Sequence, residues 1–372
     1  VIGCHAMPDS LVANAEVGGI AGYMSVDGTG FSAIIDCHTE GDITLGINYL
    51  GGIVGHADEG QITGCTFNGS IISTGDFIGG IAGRAVDTVR ECSVEGIIEG
   101  NNSVGGITGN IGNRPVMNSR FTGSVTGNIN VGGIIGYGSA TNSHTTGTVT
   151  GVTRAGGIAG YGSSIVGCTS AAEIIGDYQT GGIAGSSSAI RNCSVTGNVT
   201  GGSVTGGLTG SGNTVDSCVV TGDVIAMGDT VGGLIGWHTY NTVSNSRAEG
   251  KVSGRNNVGG FAGHMDGAQI TRCVATGDVT GEDYVGAFVG TTSSASSSTS
   301  GMNLSYATGD VKGRNYVGGF SGNGGGMYCF ARGNVSGEDY VGGFGGEVQQ
   351  RAQYCFSTGK VAATGEHKSG FG

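Results

Sequence analysis

Cysteine has the widest chemical range of any residue type in this sequence, and the 372-residue chain holds ten of them. Thiolates ligate metals, exchange disulfides and attack carbon, and each use demands a spacing. Zinc sites pair cysteines as C-x2–4-C, whereas neighbouring cysteines here stand 24 or more residues apart. A second candidate is the glycine hexamer VGGIAG at residues 17–22. Such a loop can cradle a phosphate when it lies between a strand and a helix and an acidic residue follows about 20 positions on. Histidine and aspartate, the usual acid–base residues, are scattered: seven His form no recognisable triad or cluster.

Both candidates turn out to be periodic. The hexamer recurs at 50–55, 78–83, 104–109, 131–136, 155–160, 180–185, 205–210, 231–236, 258–263, 285–290, 317–322 and 341–346, at spacings of 24 to 33 residues. Thirteen copies argue for architecture rather than for a phosphate loop, because a period in this range marks a solenoid, propeller or array. Twelve or thirteen residues before each hexamer lies one slot, occupied by Cys4, Cys37, Cys65, Cys92, Ser119, Ser143, Cys168, Cys193, Cys218, Ser246, Cys273, Ser305, Cys329 and Cys355. All ten cysteines fall in this column and every exception is Ser. A truncated hexamer, 368–372, follows the last slot.

From the slot the pattern runs C-x-(V/A/F/T)-x-G-x-(V/I)-x, as in CSVTGNVTG at 193–201. Alternation of period two is the strand signature, so the slot and every second residue after it face a core while the polar residues between them face solvent. Val and Ile of V-G-G-I are three apart and would point to opposite faces of a straight strand. A bend at Gly-Gly brings both inward, with glycine supplying the dihedrals of the corner. Gly18, Gly19, Gly105, Gly106, Gly232, Gly233, Gly318 and Gly319 represent these corner positions. The expected fold is all-β: one elongated parallel β-solenoid of about fourteen coils over residues 1–372, a rod of roughly 65 Å at about 4.8 Å per coil. No segment carries a helical period.

Composition agrees. Gly is 82 of 372 residues and Pro only two, which suits uninterrupted ladders. A net charge of −12 argues against nucleic acid and anionic membranes as partners. No run of 18 apolar residues spans a membrane, and no signal peptide opens the chain. Both ends fall within a repeat, so the sequence reads as a mature or internal segment.

The recurring (V/I)GG(I/L/F)xG, preceded by Gly-x-Val, resembles the GLUG-motif repeat of bacterial surface proteins, which occurs in large adhesin-like proteins and in non-catalytic regions of some immunoglobulin A peptidases. The resemblance covers nearly the whole chain. It implies an exported, surface-associated solenoid, and it implies no substrate. No H-E-x-x-H motif is present, so protease activity is not carried over.

Within such a stack the cysteines are expected to form a reduced structural ladder, with some inter-coil disulfides as the alternative. Arg255, Glu282, Arg314 and Glu338 stand three residues before the hexamer Val in successive coils and suggest an ion-pair ladder that fixes register. Tyr284, Tyr316 and Tyr340 form a stripe, explained by cross-strand stacking or, more sharply, by a carbohydrate platform. Asp42, Asp223, Asp278 and Asp310 share one slot and read as a solvated acidic column rather than a calcium site. Variation in length is confined to the segments between a hexamer and the next slot, above all 23–36 and the Ser-rich 291–304. Specific binding is therefore expected on that side.

No cofactor, metal or catalytic residue is expected. The first reading is a non-enzymatic structural protein of the cell surface or extracellular space, a filament, sheath or stalk whose partners are copies of itself end to end. The alternative is an adhesin or carbohydrate-binding module that meets a surface glycan or a host or neighbour-cell ligand through the Tyr stripe or the variable loops. An enzyme on a β-helix would need clustered Asp, Arg or Lys, which the columns do not supply.

Overall fold

The computed structural model describes residues 1–7, 13, 15–25, 32–112, 114–293, 301–349 and 351–371. Most of the Ser-rich insertion, 294–300, lies outside these residues. Among them there is no helix. The fold is a parallel β-solenoid of about 12 turns, against the expected fourteen. The coil that begins at Cys355 is incomplete, with strands in one ladder only. The chain forms two compact units, Val1–Gly176 with Ile183–Ser186, and Asp177–Gly182 with Ser187–Gly372.

In the first unit, one ladder stacks Thr66–Ile72, Ser93–Glu99, Arg120–Gly132 and His144–Gly156 in unbroken register, so that Ile71, Ile98, Val125 and Val149 lie above one another. A second ladder stacks Ala21–Met24, Val54–Ala57, Ala82–Ala85, Thr108–Ile111, Ile135–Thr141 and Ala159–Val166. The fourth hexamer position fills the space between the ladders with Ile53, Ile81, Ile107, Ile134 and Ile158, all buried.

The second unit repeats the plan. Val231, Val258, Val285, Val317 and Val341 form one column, and Ile235, Ala262, Val289, Ser321 and Gly345 form the opposite one. Here the fourth hexamer position becomes Phe261, Phe288, Phe320 and Phe344, fully buried and stacked face to face at 4.7–4.9 Å. Each such ring contributes about 1.5–3 kcal/mol by burial.

The hexamer is the crossing between ladders, as expected. Val104 and Gly105 end a strand of one ladder and Thr108 opens a strand of the other, with Val104 and Ile107 both buried. The reason for the glycines differs from the expected one. None of Gly18, Gly19, Gly105, Gly106, Gly232, Gly233, Gly318 and Gly319 has a left-handed φ. They are glycine for space: a Cβ on Gly106 would overlap the Gly133 carbonyl oxygen and the Phe121 ring, and one on Gly319 would overlap the Gly343 carbonyl.

Left-handed turns occur elsewhere, mostly at residues that are not glycine. One column precedes the hexamer Val, running Glu16, Tyr49, Phe77, Ser103, Asn130 and Arg154 in the first unit and Val204, Thr230, Asn257, Tyr284, Tyr316 and Tyr340 in the second, with φ from 47° to 65°. The other precedes the Cys/Ser slot: Asp36, Glu91, Asn118 and Asn142, then Asn192, Ser217, Asn245, Arg272, Leu304, Tyr328 and Tyr354. Each such residue costs on the order of 1–3 kcal/mol. Hydrogen bonds to the adjacent coil hold it in place, for example from Asn118 N–H to Thr141 O at 3.0 Å.

The slot side chain stabilises the second of these corners. Ser119 Oγ donates to the Met117 carbonyl at 2.8 Å, bridging the left-handed Asn118, and accepts from Cys92 N–H at 3.1 Å. Ser119 N–H in turn donates to Ser143 Oγ, and Ser143 N–H to Cys168 Sγ. In the second unit Cys218 N–H donates to Ser246 Oγ and Cys273 N–H to Ser305 Oγ. The slot therefore demands a small side chain that both donates and accepts, which is why only Cys and Ser occupy it.

Two stability measurements follow from this geometry. Ser119→Ala strands the Cys92 N–H and loses the donor to Met117, so urea denaturation should show a loss of about 1–3 kcal/mol; Ser119→Cys should lose clearly less. Equal losses would mean that the slot is only filled, not bonded. Gly106→Ala should destabilise by about 1–3 kcal/mol through overpacking. Gly301→Ala, where an added Cβ meets nothing within 4 Å, should stay near wild type.

Candidate functional site

Most of the cysteines lie buried in the coils; the half-buried Cys355 differs, its thiol lowered to about 7 by the hydrogen bond with Cys329. Cys37, Cys65, Cys92, Cys218, Cys273 and Cys329 are buried thiols, while Cys4 is exposed and Cys355 half-buried. Burial pushes the Cys273 thiol up to about 12 and raises Cys37 as well. A protonated, buried thiol is a poor nucleophile and a poor metal ligand.

The tyrosine stripe exists and its geometry decides what it offers. Tyr284, Tyr316 and Tyr340 each occupy the left-handed position before the hexamer Val, so their side chains leave the coil in the same direction. Ring centroids lie 4.7 and 4.6 Å apart, and His367 continues the stack at 4.5 Å from Tyr340. Both faces of Tyr316 and Tyr340 are therefore covered by neighbouring rings. A sugar that packs on an aromatic platform needs an open face, and this stripe presents a row of phenol edges instead.

The charged column is rearranged relative to expectation. Arg255, Glu282, Arg314 and Glu338 do follow one another along the coils, linked by backbone hydrogen bonds of 2.6–2.7 Å. Their strongest side-chain pairs run diagonally to a different column. Arg255 grips Asp229 through Nε and Nη2, both at 2.9 Å, and Arg314 grips Asp283 at 3.0 and 2.6 Å. Glu282 approaches Arg314 only at 3.7 Å. The forked guanidinium selects a carboxylate that it can bind through two N–H groups, and the Asp one position along offers that geometry. These guanidinium groups hold Asp229 and Asp283 below the usual carboxylate range.

Asp283, Asn315 and Asp339 share one register position. Asn256 donates to Asp229 at 3.0 Å and Asn315 to Asp283 at 3.0 Å, so the interleaved amides separate carboxylates that would otherwise repel. The slot-five aspartates are also employed. Asp42 accepts from Ser70 N–H and Oγ, Asp223 from Lys251 N–H, Asp278 from Asp310 N–H and Asp310 from Asn334 N–H. Each tethers the next coil.

The histidines depart most from the sequence reading. His56 is buried between Glu16, 3.1 Å from Nδ1, and Asp58, 2.9 Å from Nε2, and it stacks on Tyr49 at 5.2 Å. Both ring nitrogens face carboxylates, so neither is presented to a substrate. His238, also buried, lies with Nδ1 2.6 Å from Gly212 O and Nε2 3.1 Å from Asn241 O, fastening a variable connection. His5, His38 and Glu40 come together at the surface. Their sequence separation hid this contact; the one available signal was that His5 and His38 both directly follow a slot cysteine. On the variable side, a cavity among Met265, Ala268, Ile270, Thr292 and Met302 measures about 20 Å³, room for about one water, and a more open cleft of about 440 Å³ is lined by Tyr23, Met24, Ser32 and Ile34.

Four segments match the GLUG motif: residues 46–72, 176–200, 228–253 and 254–280. Each starts before a hexamer and runs through the following Cys/Ser slot into its strand, so the matched unit is one coil. No curated protein and no solved structure matches the chain. Taken with the ladders above, these matches describe a β-solenoid in which four of the coils carry the GLUG motif.

Proposed function

We propose that this chain is a non-enzymatic structural protein of the cell surface or extracellular space, and that its coils stack on coils of other copies to form a filament, sheath or stalk. The observation that carries this reading is the self-complementarity of the columns. Each interior coil offers its neighbour the same backbone groups, the same Cys/Ser relay and the same ring positions that it receives from the coil before. A surface built this way is a template for a further coil. The polar groups support the same role, since the aspartates, His56 and the arginines are engaged in holding coils together.

Sedimentation and electron microscopy of the purified chain over a wide concentration range test it. Concentration-dependent end-to-end assemblies are expected, with an axial repeat near about 4.8 Å by fibre diffraction. A strictly monomeric particle at every concentration would reject assembly.

The adhesin reading draws on one observation, the row of tyrosine edges at the surface, half-buried at Tyr284 and Tyr316 and exposed at Tyr340. Recognition would run through the phenol hydroxyls, not the ring faces. Replacing Tyr284, Tyr316 and Tyr340 together by Phe keeps the stack and removes those hydroxyls. Glycan-array binding that is present in the wild type and lost in the triple variant would support it, and binding unchanged by the variant would remove the stripe from consideration.

A further inference from the structure

Parallel in-register stacking brings residues one coil apart to within side-chain reach, and in the first unit it assembles three metal-ligating groups. His5 pairs in register with His38, and His38 with Thr66. Glu40 lies two residues along the same strand, so it shares the outer face with His38, while Thr39 between them is buried. The ligand atoms of His5, His38 and Glu40 all lie within 4.8 Å of one another. His38 Nε2 is 2.7 Å from Glu40 Oε1, and the imidazoles of His5 and His38 lie 4.9 Å apart, tilted by 32°.

The surroundings fit a ligand set. His38 Nδ1 lies 2.5 Å from Thr66 Oγ1 of the next coil. With that nitrogen donating to the hydroxyl, Nε2 is the ring nitrogen turned toward Glu40 and placed to ligate an ion. An outer hydrogen bond of this kind orients most metal-bound histidines. His5 has no hydrogen bond to any described residue. Ligands of a tetrahedral zinc stand about 3.4 Å apart, given bonds of about 2.0–2.1 Å, so modest side-chain rotation would close the three onto one ion.

We propose that His5, His38 and Glu40 form a binding site for a divalent transition-metal ion of the zinc class. Two imidazoles and one carboxylate leave a position open for water, as in sites with three protein ligands. On binding, the ion takes the place of the proton shared between His38 and Glu40, which is released to solvent. Chelating the two coils would also clamp their register.

The chain itself contains a control. His144 occupies the same column four coils after His38, with Nδ1 2.5 Å from Thr169 Oγ1. Its coil neighbour in place of a second imidazole is Arg120, and two residues along stands Thr146 rather than a carboxylate.

Calorimetric titration of the purified chain with Zn2+ alone should show one saturable equivalent. His5→Ala, His38→Ala and Glu40→Gln should each weaken it by about tenfold or more, while His144→Ala and Cys4→Ser should leave it unchanged, with all variants matching wild type in circular dichroism. Substituting Co2+ should give visible d–d bands without a thiolate charge-transfer band. The proposal is overturned if the wild type takes up no metal, if binding survives loss of His5 or His38, or if the cobalt spectrum shows that cysteine holds the ion.

Discussion

Everything in this molecule answers to one constraint: each residue lies directly above its counterpart in the adjacent coil, at the spacing of hydrogen-bonded strands. A side chain must therefore be compatible with a near-copy of itself about 4.8 Å away. Planar rings meet this demand by stacking, as do the buried phenylalanines at 261, 288, 320 and 344 and the surface tyrosines at 284, 316 and 340, of which the first two are half-buried. Branched aliphatics meet it by packing, as at Ile53, Ile81 and Ile107. Like charges do not, and the columns show how the conflict is relieved. Asparagine separates Asp283 from Asp339, and arginine reaches sideways to the carboxylate that it can hold with two bonds.

The same constraint makes strained backbone tolerable. A left-handed tyrosine or arginine would be an outlier in an isolated turn. Here the conformation recurs at every coil, and the peptide groups on either side of it are committed to the ladder. The Cys/Ser slot adds a local tie by bonding the carbonyl just before one of these corners and accepting the N–H of the neighbouring slot. Strain, relay and ladder thus support one another, and a change in one coil is felt mainly by its two neighbours.

Function is shaped by the same geometry. Stacking consumes ring faces, which turns a prospective sugar platform into a row of hydroxyl edges. It draws aspartates into tethering the next coil, and it fixes His56 between two carboxylates. It also creates proximity where the sequence has none, as with His5 and His38, 33 residues apart and in ring contact.

Much of this was legible in the sequence because the repeat is short and each unit obeys the same rules. Period-two alternation after the slot identified the strands and the buried valines. The hexamer identified the crossing between ladders, and the Cys/Ser column identified register. Asparagine before the slot, at 118, 142, 192 and 245, could also have announced the left-handed corner. What the sequence could not decide depends on distances between coils. Close carbonyls, rather than dihedral freedom, require Gly106; hydrogen-bond reach as well as small size restricts the slot to Cys or Ser; and arginine chose Asp283 over the nearer-seeming Glu282. Composition and period alone determined that this chain would coil and stack, since they set which faces are apolar and how often the chain turns. Only the tertiary structure decided which side chains meet, because those meetings depend on fractions of an ångström across a gap that no sequence interval measures.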